Sequence, residues 1–198
     1  MKKRTKVLLL LLSAVLLVVA SVMGTLAYLT SQDTVTNTFT VGKVKITMAE
    51  SKVNENGVAI PGTTTDSNAY KLIPGHEYDK DPKITVEEGS EACWLFVEVD
   101  NGIEALEDTT NTISSQILAN GWSELSDVDN VYYKEWSTTD SRTINVFEKF
   151  YISDDAQGVD GTWRNGLSVN VTAYAIQKDT TLDNAKIAWT KLNAQLTP

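Results

Sequence analysis

The sequence predicts a mainly β protein, an antiparallel β-sandwich of jelly-roll type with one or two peripheral helices. Three observations predict it. About eight short stretches alternate or are rich in β-branched and aromatic residues. Gly, Asn, Asp and Pro turn signals separate them, and only two segments show helical spacing. No long repeat and no low-complexity linker divides the chain, which suits one domain over residues 28–198.

The first predicted strand runs from Tyr28 to Val41. Thr30, Thr34, Thr36, Thr38 and Thr40 fall on one parity, and Val35, Phe39 and Val41 fall on the other. After Gly42, Val44, Ile46 and Met48 share a face, with Lys43, Lys45 and Thr47 opposite. Ser51 to Asn68 reads as a polar loop with a tight turn at Asn56-Gly57, and Pro74-Gly75 marks another turn. Lys83 to Glu88 and Ala92 to Asp100 read as two strands paired across Glu88-Gly89-Ser90. In the second, Cys93, Leu95, Val97 and Val99 lie on one face and Trp94 and Phe96 on the other. Apolar residues on both faces argue for a central strand.

Ile113 to Ala119 predicts a short helix, stopped by Asn120-Gly121 as a glycine C-cap. Trp122 to Leu125 and Val131 to Trp136 predict a hairpin around Asp127 to Asn130. Thr143 to Ile152 predicts one further strand. From Leu167 to Gln177, Leu167, Val169, Val171, Ala173 and Ala175 point inward, with Ser168, Asn170 and Thr172 outward. Asp183 to Ala194 closes the chain as an amphipathic helix carrying Leu182, Ala185, Ala188, Trp189 and Leu192 at helical spacing.

The front of the chain has a different character. Lys2, Lys3, Arg4 and Lys6 precede an apolar run, Val7 to Ala20, broken only by Ser13. Thr25 and Ala27 then occupy the −3 and −1 places of an Ala-x-Ala-like cleavage site. Residues 1–27 therefore read as a secretory signal, cut between Ala27 and Tyr28. Val7 to Met23 is at the short end of a membrane span, so a retained anchor is the alternative. In both cases the basic head stays on the cytoplasmic side and the remainder faces outward.

Four of the 17 basic residues and none of the 26 acidic ones lie in residues 1–27, so the remainder carries a formal charge of −13. That excess disfavours nucleic acid and anionic membrane surfaces as partners. Cys93 is the only cysteine, so no intrachain disulfide is expected. Leu192 to Pro198 has neither a hydrophobic tail nor a wall-sorting sequence.

Several stretches together carry a family resemblance. They are Gly24-Thr-Leu-Ala-Tyr-Leu-Thr, Asn37-Thr-Phe-Thr-Val-Gly-Lys-Val-Lys-Ile46, Leu72-Ile-Pro-Gly75, Asp81-Pro82, Val131-Tyr-Tyr133 and Ala173-Tyr-Ala-Ile-Gln177. The set resembles the TasA/camelysin family of Gram-positive bacteria. The resemblance implies a jelly-roll domain, processing by a SipW-type signal peptidase, and a place in the extracellular biofilm matrix or on the cell surface, often as fibres. It also implies a test, because some relatives are described as metallopeptidases.

The residues offer little for that chemistry. A zincin needs two His one helical turn apart with a Glu base. His76-Glu77 begins such a motif, but Lys80 stands where the second His would be, and His76 is the only His. No G-x-S-x-G elbow is present, since Gly166-Leu-Ser-Val-Asn170 stops short of one. Cys93 sits among core residues, where a thiol is usually inert. Asp154, Asp155 and Asp160 near Gly158 and Gly161 read as a solvated acidic loop in preference to a Ca²⁺ site. Trp94 and Trp189 fit core positions; Trp122, Trp136 and Trp163 stay open between packing and a glycan-binding face.

The expectation is therefore no catalytic residue, no cofactor and no bound metal. The leading function class is a secreted structural subunit that self-associates, with 28–41 as the exchanged strand and Val35, Phe39 and Val41 as its inserted side chains. The alternatives are a camelysin-like metallopeptidase and a monomeric adhesin or glycan-binding module.

Overall fold

In a computed structural model, residues 44–156 and 167–196 are described. Ala27, Tyr28, Val35, Phe39, Val41, Asp160 and Trp163 lie outside them, as do the signal and the first predicted strand. The described residues form nine antiparallel strands and two α-helices, so the protein is mainly β. The strands are β1 (Ile46–Ala49), β2 (Glu77–Asp79), β3 (Lys83–Val86), β4 (Cys93–Asn101), β5 (Ser123–Glu124), β6 (Val131–Trp136), β7 (Thr143–Asn145), β8 (Lys149–Tyr151) and β9 (Val169–Gln177). The helices are α1 (Ile113–Ala119) and α2 (Ala185–Leu196).

One sheet has the order β5-β6-β4-β9, and a second has the order β1-β3-β7. Side chains of both meet in one core. Cys93, Leu95, Val97 and Val99 of β4 pack there with Ile84 and Val86 of β3 and with Ile144 of β7. The opposite face of β4 carries Trp94 and Phe96, which α2 covers through Ala185, Ala188, Trp189 and Leu192. β4 is thus the central strand that its two apolar faces predict. Each fully buried Val, Leu, Ile or Phe among them contributes roughly 1.5–3 kcal/mol before the entropy of ordering is counted.

The helix α1 has the predicted bounds. Thr112 caps it by accepting the Ser115 N–H at 3.2 Å. It stops at Gly121, whose φ of +79° suits a residue without Cβ, and the Gly121 N–H donates to Leu118 O at 3.0 Å. The β5–β6 hairpin also forms as predicted, with Leu125 N–H donating to Val131 O at 2.8 Å. The helix α2 begins two residues later than predicted and runs two residues further.

One predicted pairing and one predicted strand are corrected. Lys83 to Glu88 and Ala92 to Asp100 are both extended, but they do not pair with each other. β3 is flanked by β1 and β7, while β4 is flanked by β6 and β9. The reason is burial on both sides of β4, which places it at the centre of the larger sheet with β3 across the core. The crossing runs through Gly89, at φ +79°, and the buried Ser90, whose Oγ accepts the Lys45 N–H at 3.2 Å.

Thr143 to Ile152 divides into β7 and β8, which pair with β3 and β2 respectively. Val146 and Phe147 are adjacent and both fully buried, so alternation fails there. Opposite them, Pro82 has no N–H to give, and its carbonyl accepts from Val146 at 3.0 Å. Lys80 N–H donates to Glu148 O at 3.1 Å. One register persists from Glu77↔Tyr151 through Lys83↔Asn145, so the two short pairings are arms of a single interrupted ladder.

Candidate functional site

β1 and β9 are the outer strands of their sheets, and neither has a second partner among the described strands. A groove of about 980 Å³ opens where they approach. Met48 and Glu50 line one side, Leu167, Val169 and Val171 another, and Tyr70 and Phe150 the base. The inward residues of both edges are only partly covered. Val44, Ile46 and Met48, and Leu167, Val169, Val171, Ala173 and Ala175, pack on the core yet remain half-buried, whereas Leu95 and Val97 of β4 are 0 % exposed. Among the described residues, both sheet edges thus keep apolar side chains half covered along the groove.

The Ser51–Asn68 stretch builds the polar end of this groove. It is less open than a loop reading implies. Thr65 and Glu50 exchange backbone hydrogen bonds at 2.8 and 3.0 Å, and Ile60 N–H donates to Lys52 O at 2.7 Å. This fold brings Asn68 beside Glu50. The Glu50 side chain is 5 % exposed and its Oε2 accepts from Lys80 Nζ at 2.7 Å; the Lys80 side chain is 12 % exposed. Asn68 Nδ2 donates to Glu50 Oε1 at 2.9 Å. The Tyr70 hydroxyl donates to Asp79 O at 2.8 Å. Burial, reinforced by the charge of Glu50, pushes its pKa above the usual phenol range, so it stays a neutral donor.

The predicted site residues fall as follows. His76 is exposed at the Pro74-Gly75 turn, where Gly75 has φ +71°, and its ring is 5.7 Å from that of Tyr78. Glu77 pairs with Lys149. Lys80, in the position of a zincin's second His, is bound to Glu50. Cys93 is fully buried, and burial pushes its thiol up to about 12, far from thiolate chemistry at neutral pH. Asp154 and Asp155 are exposed, and no group of three or more His, Cys, Asp or Glu able to hold a metal occurs among the described residues.

Trp122 and Trp136 are core residues at 2 % and 4 % exposure, which closes the choice left open by their sequence. Their ring N–H groups donate to Asn145 O at 2.8 Å and to Ser141 O at 2.9 Å, as that of Trp94 does to Leu182 O at 2.7 Å. Among the described residues, none of these rings offers a flat glycan platform. The groove and the Glu50–Asn68–Lys80 cluster were not foreseen in the sequence. These three residues are far apart in the chain and share no period; the one signal is an acid, an amide and a lysine around a turn-rich segment. Compared with known proteins, the chain matches no family model, no curated protein and no solved structure.

Proposed function

We propose that this chain is an exported structural protein that assembles outside the cell by passing residues 28–41 of one copy into the β1–β9 groove of another. The observation that carries the reading is the groove itself, two sheet edges with half-covered apolar side chains among the described residues. Val35, Phe39 and Val41 have the alternation such a seat accepts, and the intervening Thr side chains suit the solvent face. Backbone hydrogen bonds to either edge would supply affinity, and the side-chain pockets would supply register.

The N-terminal segment gives the process an order. Residues 1–27 act as a signal removed by a SipW-type peptidase between Ala27 and Tyr28, and the cut releases the strand from the membrane. The added strand would complete a jelly roll, in keeping with the resemblance to TasA/camelysin proteins of the biofilm matrix. Partners are then the signal peptidase during export and further copies or related subunits afterwards. The acidic surface keeps unassembled copies soluble.

Deleting residues 28–41 from the processed protein is expected to abolish fibres seen by electron microscopy while leaving the domain's circular dichroism β-rich. Fibres that persist unchanged would overturn the reading.

A further inference from the structure

Asn68 is held at every polar atom of its side chain. Oδ1 accepts the Val53 N–H at 3.0 Å, and Nδ2 donates to Ser51 O at 2.8 Å and to Glu50 Oε1 at 2.9 Å. These partners fix which end of the amide is oxygen and which is nitrogen. The second oxygen of the same Glu50 carboxylate accepts from Lys80 Nζ at 2.7 Å. One nearly buried carboxylate therefore holds a primary amine on one oxygen and a carboxamide on the other. An ion pair requires only the first of these contacts.

We propose that Lys80 and Asn68 become joined by an intramolecular isopeptide bond, with Glu50 moving the protons. Glu50 Oε2 lies 2.7 Å from Lys80 Nζ, where it receives a proton as that nitrogen attacks. A desolvated lysine amine is a competent nucleophile. Its lone pair adds to Asn68 Cγ, and the C=O π electrons move to Oδ1. The Val53 N–H already points at that oxygen and stabilises the charge that develops there.

The tetrahedral centre then collapses and the Cγ–Nδ2 bond breaks. Glu50 donates its first proton to Nδ2, which leaves as ammonia. Nζ, now an amide nitrogen, sheds a second proton through Glu50 to that ammonia. The ammonium charge of Lys80 leaves as an ammonium ion, Glu50 ends as it began, and no oxidant or reductant is needed.

The bond would close the segment 68–80, which contains the Pro74-Gly75 turn and both Tyr70 and Tyr78. It ties down one wall of the groove without a disulfide, which a chain with one cysteine cannot make within itself.

Mass spectrometry of the purified protein tests this whatever its N-terminus. The expected intact mass is lower than the sequence mass by one ammonia. Trypsin should fail to cut after Lys80, and residues 53–71 should be recovered covalently joined to 72–83. Glu50→Gln and Lys80→Arg should each restore the full mass. A full sequence mass, with 53–71 and 72–80 recovered as separate peptides, overturns the proposal. So does an ammonia loss with Lys80 still cleaved, because a succinimide at an Asn-Gly step would give that result. A loss that persists in Glu50→Gln overturns the role given to Glu50.

Discussion

Phe147→Ala should lower the unfolding free energy by about 3–5 kcal/mol, the usual cost of emptying a buried aromatic site. Phe147 is 0 % exposed and follows Val146, which is also 0 % exposed. Both sit in the break between β7 and β8, where the ladder would otherwise continue. Alanine there would leave a cavity that the surroundings cannot readily fill. Backbone hydrogen bonds on either side, Val146 N–H to Pro82 O and Lys80 N–H to Glu148 O, hold the walls apart. Chemical denaturation followed by tryptophan fluorescence measures the loss. A change under about 1 kcal/mol would mean that the site collapses freely, contrary to this packing.

Gly57→Ala is expected to cost about 2–4 kcal/mol, from two causes that act together. The backbone has φ +74°, which disfavours any L side chain by roughly 1–2 kcal/mol. A Cβ there would also stand 2.3 Å from Tyr78 Cδ1, so the ring must move. Tyr78 has little freedom to do so. Its hydroxyl donates to Lys71 O at 2.8 Å and accepts the Ile73 N–H at 2.7 Å, and its ring stacks on Phe150 at 4.9 Å. Phe150 lines the groove, so the same change should weaken assembly as well as stability. Thermal unfolding of the unassembled protein, read beside fibre yield, checks both effects.

The parts of the fold legible in the sequence are those governed by local pattern. Alternation assigned both faces of β4 and the inward face of β9, because each side chain's environment follows from its parity. Asn120-Gly121 marks the end of α1 through capping chemistry that needs no tertiary information. Pairing was less legible. A Gly-Ser step between two strands suggests a hairpin, yet β3 and β4 belong to different sheets, since a strand apolar on both faces needs a layer on each side. The adjacent buried pair Val146-Phe147 falls inside the single strand that Thr143 to Ile152 predicts, although two buried residues in succession signal a break.

The groove was illegible for a different reason. It is a property of where two sheet edges meet, and those edges lie more than a hundred residues apart in the chain. Its candidate occupant, by contrast, was visible as Val35, Phe39 and Val41 on one parity. The proposed exchange joins these two features, one read from alternation in the sequence and the other from the described sheet edges.

Disulfide trapping between copies tests that match most directly. Cys93 is fully buried, so thiols placed by substitution are the ones that react. One batch carries Val171→Cys in the groove, and three others carry Val35→Cys, Phe39→Cys or Val41→Cys in the N-terminal strand. When the first is mixed with the others under mild oxidation, a covalent pair joining two different copies is predicted for at least one of the three positions. Linkage at none of the three, with linkage formed instead inside a separate variant that carries both cysteines in one chain, would contradict exchange of the strand between copies.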